Sequence, residues 1–388
     1  MFRRIPFPVV ILGIVSFFND LASEMIYPII PLFLTSVIHT PIPIIGLIEG
    51  IAEGTAAIMK FIFGYLSDKM HKRKLFVVLG YSFGAVSKLF IGLATAWPLV
   101  LFARFVDRTG KGLRTSARDA ILLQNATQQN KGFIFGFHRA MDSAGAVVGP
   151  LLGLLLLALF QENIRLTFFV AFIPAVIAVI LLVLFVHEKK QEPQQKKFVF
   201  RFVWKELNPR FKFFLLVSML FAIGNSADSF LILRATNLGL TTTLAVLTYV
   251  VYNISQTLFA TPAGQLADKI GARKVFAMGL LIFAGVYFSF GFIQSPLWIW
   301  LIFPIYGVYI AFTDGVSKAY IAEYITEQEA GTYFGLYQTG IALCAFFASL
   351  IGGILWSVIA PSATFYYGAF MAFFAFGLLA YGTMFKKL

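Results

Sequence analysis

The stretch Gly64-Tyr-Leu-Ser-Asp68-Lys-Met-His-Lys-Arg73-Lys74 returns 200 residues later (264 − 64) as Gly264-Gln-Leu-Ala-Asp268-Lys-Ile-Gly-Ala-Arg273-Lys274. A weaker echo joins Lys131-Gly-Phe-Ile-Phe-Gly136 to Ala330-Gly-Thr-Tyr-Phe-Gly335, 199 residues apart (330 − 131). Self-similarity at one long offset marks a chain built from two like halves. Apolar segments long enough to span a bilayer surround each copy. They fall near 7–36, 43–67, 75–96, 98–123, 132–160 and 165–187, then near 211–236, 242–267, 274–294, 296–324, 331–357 and 361–385. Twelve helices follow, six on each side of a hydrophilic linker. The fold class is therefore an all-α membrane protein of two pseudo-symmetric six-helix bundles. Residues 1–187 form the N-terminal bundle, 188–210 a cytoplasmic linker and 211–388 the C-terminal bundle.

Composition agrees. The 388 residues are 59% hydrophobic and only 13% charged, with a mean hydropathy of +0.83. Soluble domains carry about 25% charged residues. The net charge of +13 does not imply nucleic acid, because much of it lies in short loops where positive charge sets membrane orientation. The base-rich side holds Arg3, Arg4, Lys69, Lys72, Arg73, Lys74, Lys131, the linker, Lys269, Arg273, Lys274, Lys386 and Lys387. The other side holds Arg165 and Arg234. Both termini are thus expected in the cytoplasm. Met1–Arg4 and the apolar run after it imitate a signal peptide, but no small-x-small cleavage site follows, so the run reads as an uncleaved first helix. The sole cysteine, Cys344, excludes a disulfide framework. With no second histidine or cysteine near His138, no metal site is expected, and no cofactor.

One segment contradicts its surroundings. The fourth, Arg104-Phe-Val-Asp-Arg-Thr-Gly-Lys-Gly-Leu-Arg-Thr-Ser-Ala-Arg-Asp119, carries five bases between apolar runs. At 100° per residue Arg104, Arg108, Lys111, Thr115 and Arg118 share one side, with Asp107, Arg114 and Asp119 at its margins. Five bases near a bilayer midplane cost about 15 kcal/mol on an insertion scale, and about a dozen apolar neighbours return roughly 6. That side faces water, carboxylates of other helices or an anionic ligand.

The duplicated motif resembles the loop signature of the major facilitator superfamily, G-x-L-x-D-x-x-x-R-[KR]. It is met by Gly64, Leu66, Asp68, Lys72, Arg73 and Lys74, and again by Gly264, Leu266, Asp268, Arg273 and Lys274. The resemblance covers the whole chain and implies a secondary transporter working by alternating access, its site between the two halves. Gly136, Gly145, Gly149, Pro150 and Gly153 resemble the family's "antiporter" signature in helix 5. Small residues at this spacing also serve as a packing face. The family's helix-4 signature, R-x-x-Q-G, is met only loosely by Arg108-Thr-Gly-Lys111-Gly112. Asp20-Leu-Ala-Ser-Glu24-Met-Ile-Tyr27-Pro28 with the helix-4 block looks like a narrower bacterial subgroup, associated with uptake of ferric carboxylate siderophores.

Ionisable residues inside a membrane mark functional sites. The first half holds acids Asp20, Glu24, Glu49, Glu53, Asp107, Asp119 and Asp142 against bases Lys60, Lys88, Arg104, Arg108, Lys111, Arg114, Arg118 and Arg139. The second half offers Asp228, Asp314, Glu323, Lys318 and Arg234. Expected substrate-binding residues are Lys88, Arg104, Arg108, Lys111 and Arg114, with Tyr249, Tyr252, Asn253 and Tyr337 for the uncharged parts of a ligand. Asp20, Glu24 and Asp142 are candidate proton carriers, and Asp68, Arg73, Arg118, Asp268, Gly145, Gly149 and Pro150 candidate gate residues. The bland alternative is that the acids only neutralise helix 4 in buried pairs. No phosphate loop or nucleophile elbow appears, so an enzyme or ATP-driven pump has no support. The leading reading is a monomeric, proton-coupled importer of an anionic organic solute such as a ferric carboxylate siderophore. A proton antiporter exporting drugs or metabolites is the alternative, and a receptor that binds without flux a third.

Overall fold

A computed structural model describes residues 5–70, 72–125, 131–161, 163–186, 207–324 and 330–384. The expected linker lies outside them up to residue 206, as do Arg3, Arg4, Lys386 and Lys387. Among the described residues there are fourteen α-helices and no strand. They are α1 (Phe7–Glu24), α2 (Ile30–Ser36), α3 (Ile42–Met70), α4 (Arg73–Leu93), α5 (Trp97–Gln124), α6 (Lys131–Leu159) and α7 (Ile164–Phe185). After the linker come α8 (Pro209–Ala222), α9 (Ser229–Asn237), α10 (Thr242–Ile270), α11 (Ala272–Phe292), α12 (Ile299–Ala322), α13 (Ala330–Val358) and α14 (Pro361–Met384).

Fourteen helices make twelve passes because the first pass of each half is broken. Ten segments of the described residues are long and apolar enough to cross a membrane. The remaining two passes are α5, which carries the bases, and the pair α8–α9. Between α1 and α2 the chain tightens into a 3-10 turn at Tyr27–Ile29. Pro28 and Pro31 lack the N–H groups that would bond the carbonyls of Glu24 and Tyr27, so the α-ladder cannot run through. The second break spans Ile223–Asp228, where the Ala227 N–H donates to Ser349 Oγ at 3.2 Å. Adding the 200-residue offset to Met25 and Ile26 gives Asn225 and Ser226, inside this second break.

The chain divides into two compact units, one of Met1–Pro41, Ile51–Glu192 and Thr241–Val250, the other of Ile42–Gly50, Pro193–Leu240 and Val251–Leu388. In the first unit α4 lies along α5 and α7, and α1 along α6 and α7. Its apolar core gathers Leu12, Val15, Val77, Leu113, Ala117, Leu122 and Leu182. Glycines let the backbones touch. A Cβ at Gly80 would lie 2.6 Å from the Gly110 carbonyl oxygen, across the α4–α5 contact. A Cβ at Gly145 or Gly149 of α6 would lie 2.6 Å or 2.7 Å from the carbonyl oxygens of Phe17 or Leu21 in α1. In the second unit α11 packs on α12 and α14, and α8 on α13 and α14. Its core is aromatic: the rings of Phe283 and Tyr287 stack at 3.9 Å, and Tyr306 and Tyr309 continue the cluster at 5.1 Å.

Candidate functional site

The charged face of α5 opens onto a cavity of about 320 Å³ inside the first unit. Arg104, Asp107, Arg108, Lys111, Arg114, Thr115 and Arg118 all line it, positions that recur along one face of the helix. Opposite them stand Asp20, Ser23, Glu24 and Tyr27 of α1 and the turn after it, Lys60 of α3, Ser87 and Lys88 of α4 and Asp142 of α6. The lining thus holds seven bases (Lys60, Lys88, Arg104, Arg108, Lys111, Arg114 and Arg118) against four acids (Asp20, Glu24, Asp107 and Asp142). The Cβ-free contact of Gly80 with Gly110 brings α4 close enough for Lys88 to reach this space.

Several of these charges have partners. Arg108 Nη2 lies 3.7 Å from Glu53 Oε1 and its Nε 3.9 Å from Asp107 Oδ2. Arg118 pairs with its neighbour Asp119 at 3.0 Å. Arg114 Nη1 donates to Asn19 Oδ1 at 3.1 Å, and its guanidinium lies 4.8 Å from the Tyr81 ring. Arg104, 3% exposed, sits over the Tyr27 ring at 5.6 Å. Lys88, 1% exposed, donates to the Gly84 carbonyl at 2.8 Å and to Ser23 Oγ at 3.3 Å. Lys111 differs: among the described residues its ammonium makes no ion pair, although it lines the cavity. Counting Glu53 and Asp119 behind the wall, seven bases still face six acids. The local field favours a negative guest.

The acids are held as well. Asp20 accepts from Asn19 Nδ2 at 3.0 Å. Glu24 accepts from Tyr249 OH, which belongs to the same unit, at 2.9 Å. Asp142 accepts from the Ser16 hydroxyl and lies 3.5 Å from His138 Nδ1.

A model of the Major Facilitator Superfamily matches residues 12–251 and 214–385. The chain belongs to this superfamily. It is 36% identical over 385 residues to an uncharacterized MFS-type transporter of Methanocaldococcus jannaschii, covering 97% of this chain and 95% of that one. An uncharacterized MFS-type transporter of Bacillus subtilis is 26% identical over 377 residues, covering 92% and 94%. Among solved structures, a D-xylose-proton symporter superposes with a TM-score of 0.77 at 15% identity over 97% of each chain. That likeness establishes the fold. An MFS secondary transporter, not an enzyme, is what these relatives share with the chain.

The other expected residues of this MFS chain lie away from the cavity lining. Tyr252 OH donates to Asp228 Oδ2 at 2.8 Å in the second unit. Tyr337 stacks on Phe214 at 5.8 Å. The Asn253 carbonyl accepts from Thr257 Oγ1 at 2.9 Å. Arg73 opens α4, and Asp268 is exposed near the end of α10. The side chain of Asp68 lies outside the described residues. Gly145 and Gly149 seat α6 on α1, and Pro150 follows them within the helix. The lining also holds polar residues outside the expected binding set, Ser23 and Tyr27 among them. Their signal was present: Asp20, Ser23, Glu24 and Tyr27 follow the i, i+3, i+4, i+7 spacing of one helical face.

Proposed function

We propose that the chain imports a small organic anion of the carboxylate class, coupled to protons, by alternating access of the bundles 1–187 and 211–388. The observation that carries this reading is Lys111: an ammonium on the wall of a base-rich cavity that makes no ion pair among the described residues, Glu53 pairing with Arg108 instead. A buried ammonium short of a close counter-ion is costly, and a guest carboxylate lowers that cost through charge-assisted hydrogen bonds. Arg104 and Lys88 flank the same space, so a guest with two carboxylates meets bases at both ends. A cavity of about 320 Å³ is at the small end of ligand sites. It suits a di- or tricarboxylate, and a ferric carboxylate siderophore fits only a wider state of the same cavity. Protons enter through the lining acids Asp20, Glu24 and Asp142, with Asp68, Arg118, Arg73 and Asp268 at the gates. We place the protein in the bacterial cytoplasmic membrane as a monomer with both termini inside. Export rests on the helix-5 signature, whose glycines already have a packing role against α1.

The test is a thermal-shift panel on purified protein with tartrate, citrate, a neutral sugar and a tetraalkylammonium ion. The anions raise the unfolding midpoint, by about 2.7 kcal/mol of stabilisation at a hundredfold excess over Kd, and the others do not. Stabilisation by the cation alone overturns the anion reading. In proteoliposomes, tartrate uptake that ignores an imposed pH gradient overturns the coupling.

A further inference from the structure

Behind the cavity wall sits a buried imidazole with no part in the reading above. His138 is 4% exposed and does not line the cavity, yet its Nδ1 lies 3.5 Å from Asp142 Oδ2. Asp142 does line it. The other carboxylate oxygen accepts from the Ser16 hydroxyl, and Ser16 Oγ in turn accepts from Arg118 Nη1 at 3.4 Å. A continuous polar path therefore runs from Arg118 on the cavity wall through Ser16 and Asp142 to an imidazole behind the wall. Charged neighbours come from two of the three helices packed on α6. α1 brings Asp20, α5 brings Arg118 and Asp119, and α7 carries no titratable side chain after Arg165. Arg139, next to His138 on α6, has its side chain outside the described residues.

We propose that His138 and Asp142 form a proton-binding pair whose occupancy is linked to anion binding in the cavity; this rests on the anion reading above. The charge arithmetic gives the direction. As imidazole and carboxylate the pair carries one negative charge, and as imidazolium and carboxylate it carries none. An anion arriving among the α5 bases competes with the pair for the same positive field, which favours the neutral form. One proton then enters at the imidazole with each anion, and it leaves when the anion leaves. By reciprocity, protonation tightens anion binding by the same factor. Imidazole is the side chain whose ordinary protonation range lies where a cell's pH gradient operates.

The experiment uses full-length protein in detergent and tartrate, which stays a dianion from about pH 5.5 to 8, so that the ligand's own protonation adds no slope. Wild-type affinity rises as pH falls through the imidazole range, by up to about tenfold per pH unit, the slope for one linked proton. In His138→Gln that slope flattens to within about twofold, while tartrate still binds at the alkaline end. Retention of the wild-type slope in His138→Gln overturns the proposal. A second measurement needs no variant at this pair. In protein labelled with nitrogen-15 at its four histidines, adding tartrate at constant pH moves the His138 signal toward imidazolium. The lines of His39, His71 and His187 are assigned by substitution. A His138 signal indifferent to tartrate that binds overturns the pair. Wild-type protein that tartrate stabilises at no pH shows instead that the anion reading has failed, and the linkage falls with it.

Discussion

The first pass of each half breaks at matching places, and the two breaks have opposite chemistry. At the first, Glu24 and Tyr27 look onto a cavity with seven bases in its lining. At the second, Asp228 is closed in by tyrosines: Tyr306 OH donates to its Oδ1 at 2.6 Å and Tyr252 OH to its Oδ2 at 2.8 Å. Asn225 Nδ2 donates to Tyr309 OH at 3.0 Å, and Ser226 Oγ meets Tyr287 OH at 3.3 Å. One architecture thus holds an acid in two ways. The first break leaves charges facing space a guest can enter. The second satisfies its acid with fixed hydroxyl dipoles inside an aromatic core. Interrupted helices are where transporters build ligand sites, and the first of these borders the cavity.

This contrast is sharpest in the response to substitution. Lys111→Ala removes an ammonium that makes no ion pair among the described residues and weakens tartrate binding about 100-fold, about 2.7 kcal/mol. Tyr252→Phe at the second break changes tartrate affinity less than about threefold. Equal losses in both variants, read by titration, would erase the distinction. Next in size, Asp228→Asn replaces a charged acceptor of two tyrosine hydroxyls by an amide and lowers stability by about 2 kcal/mol. Its tartrate affinity stays unchanged, so thermal unfolding moves while binding does not. Gly149→Ala forces a methyl against the Leu21 carbonyl oxygen and destabilises the first unit by about 1–2 kcal/mol, seen as a lower unfolding midpoint. Smallest is Tyr306→Phe, which removes one hydroxyl donor from Asp228 and lowers stability by about 1 kcal/mol, the scale of hydrogen bonds between membrane helices. A larger effect than that of Asp228→Asn would mean that Tyr306, not the carboxylate, organises the second break.

Much of this was legible before any coordinate. Ten of the twelve passes follow from apolar run length, which is a local property, and the α5 face follows from spacing along one helix. The breaks were harder. Pro28 and Pro31 interrupt the ladder, but prolines also occur inside α6, α7, α10 and α12 without ending them. Whether a proline ends a helix depends on what neighbouring helices offer the freed carbonyls. Partner choice was least legible. Tyr249 and Tyr252 are neighbours on one helix, yet Tyr249 reaches Glu24 and Tyr252 reaches Asp228. Spacing on α10 gives a direction for each hydroxyl and says nothing about which acid waits there.

The glycine seat of α6 on α1 has a mechanical consequence. Gly145, Gly149 and Gly153 rest in turn on the carbonyls of Phe17, Leu21 and Met25, and Met25 is the residue at which α1 stops. No layer of side chains lies between the two backbones there to be compressed, and packed interiors deform little. Any movement of α6 would therefore bear directly on the first break. Pro150, which leaves the Ala146 carbonyl without its ladder donor, lies one turn before that contact.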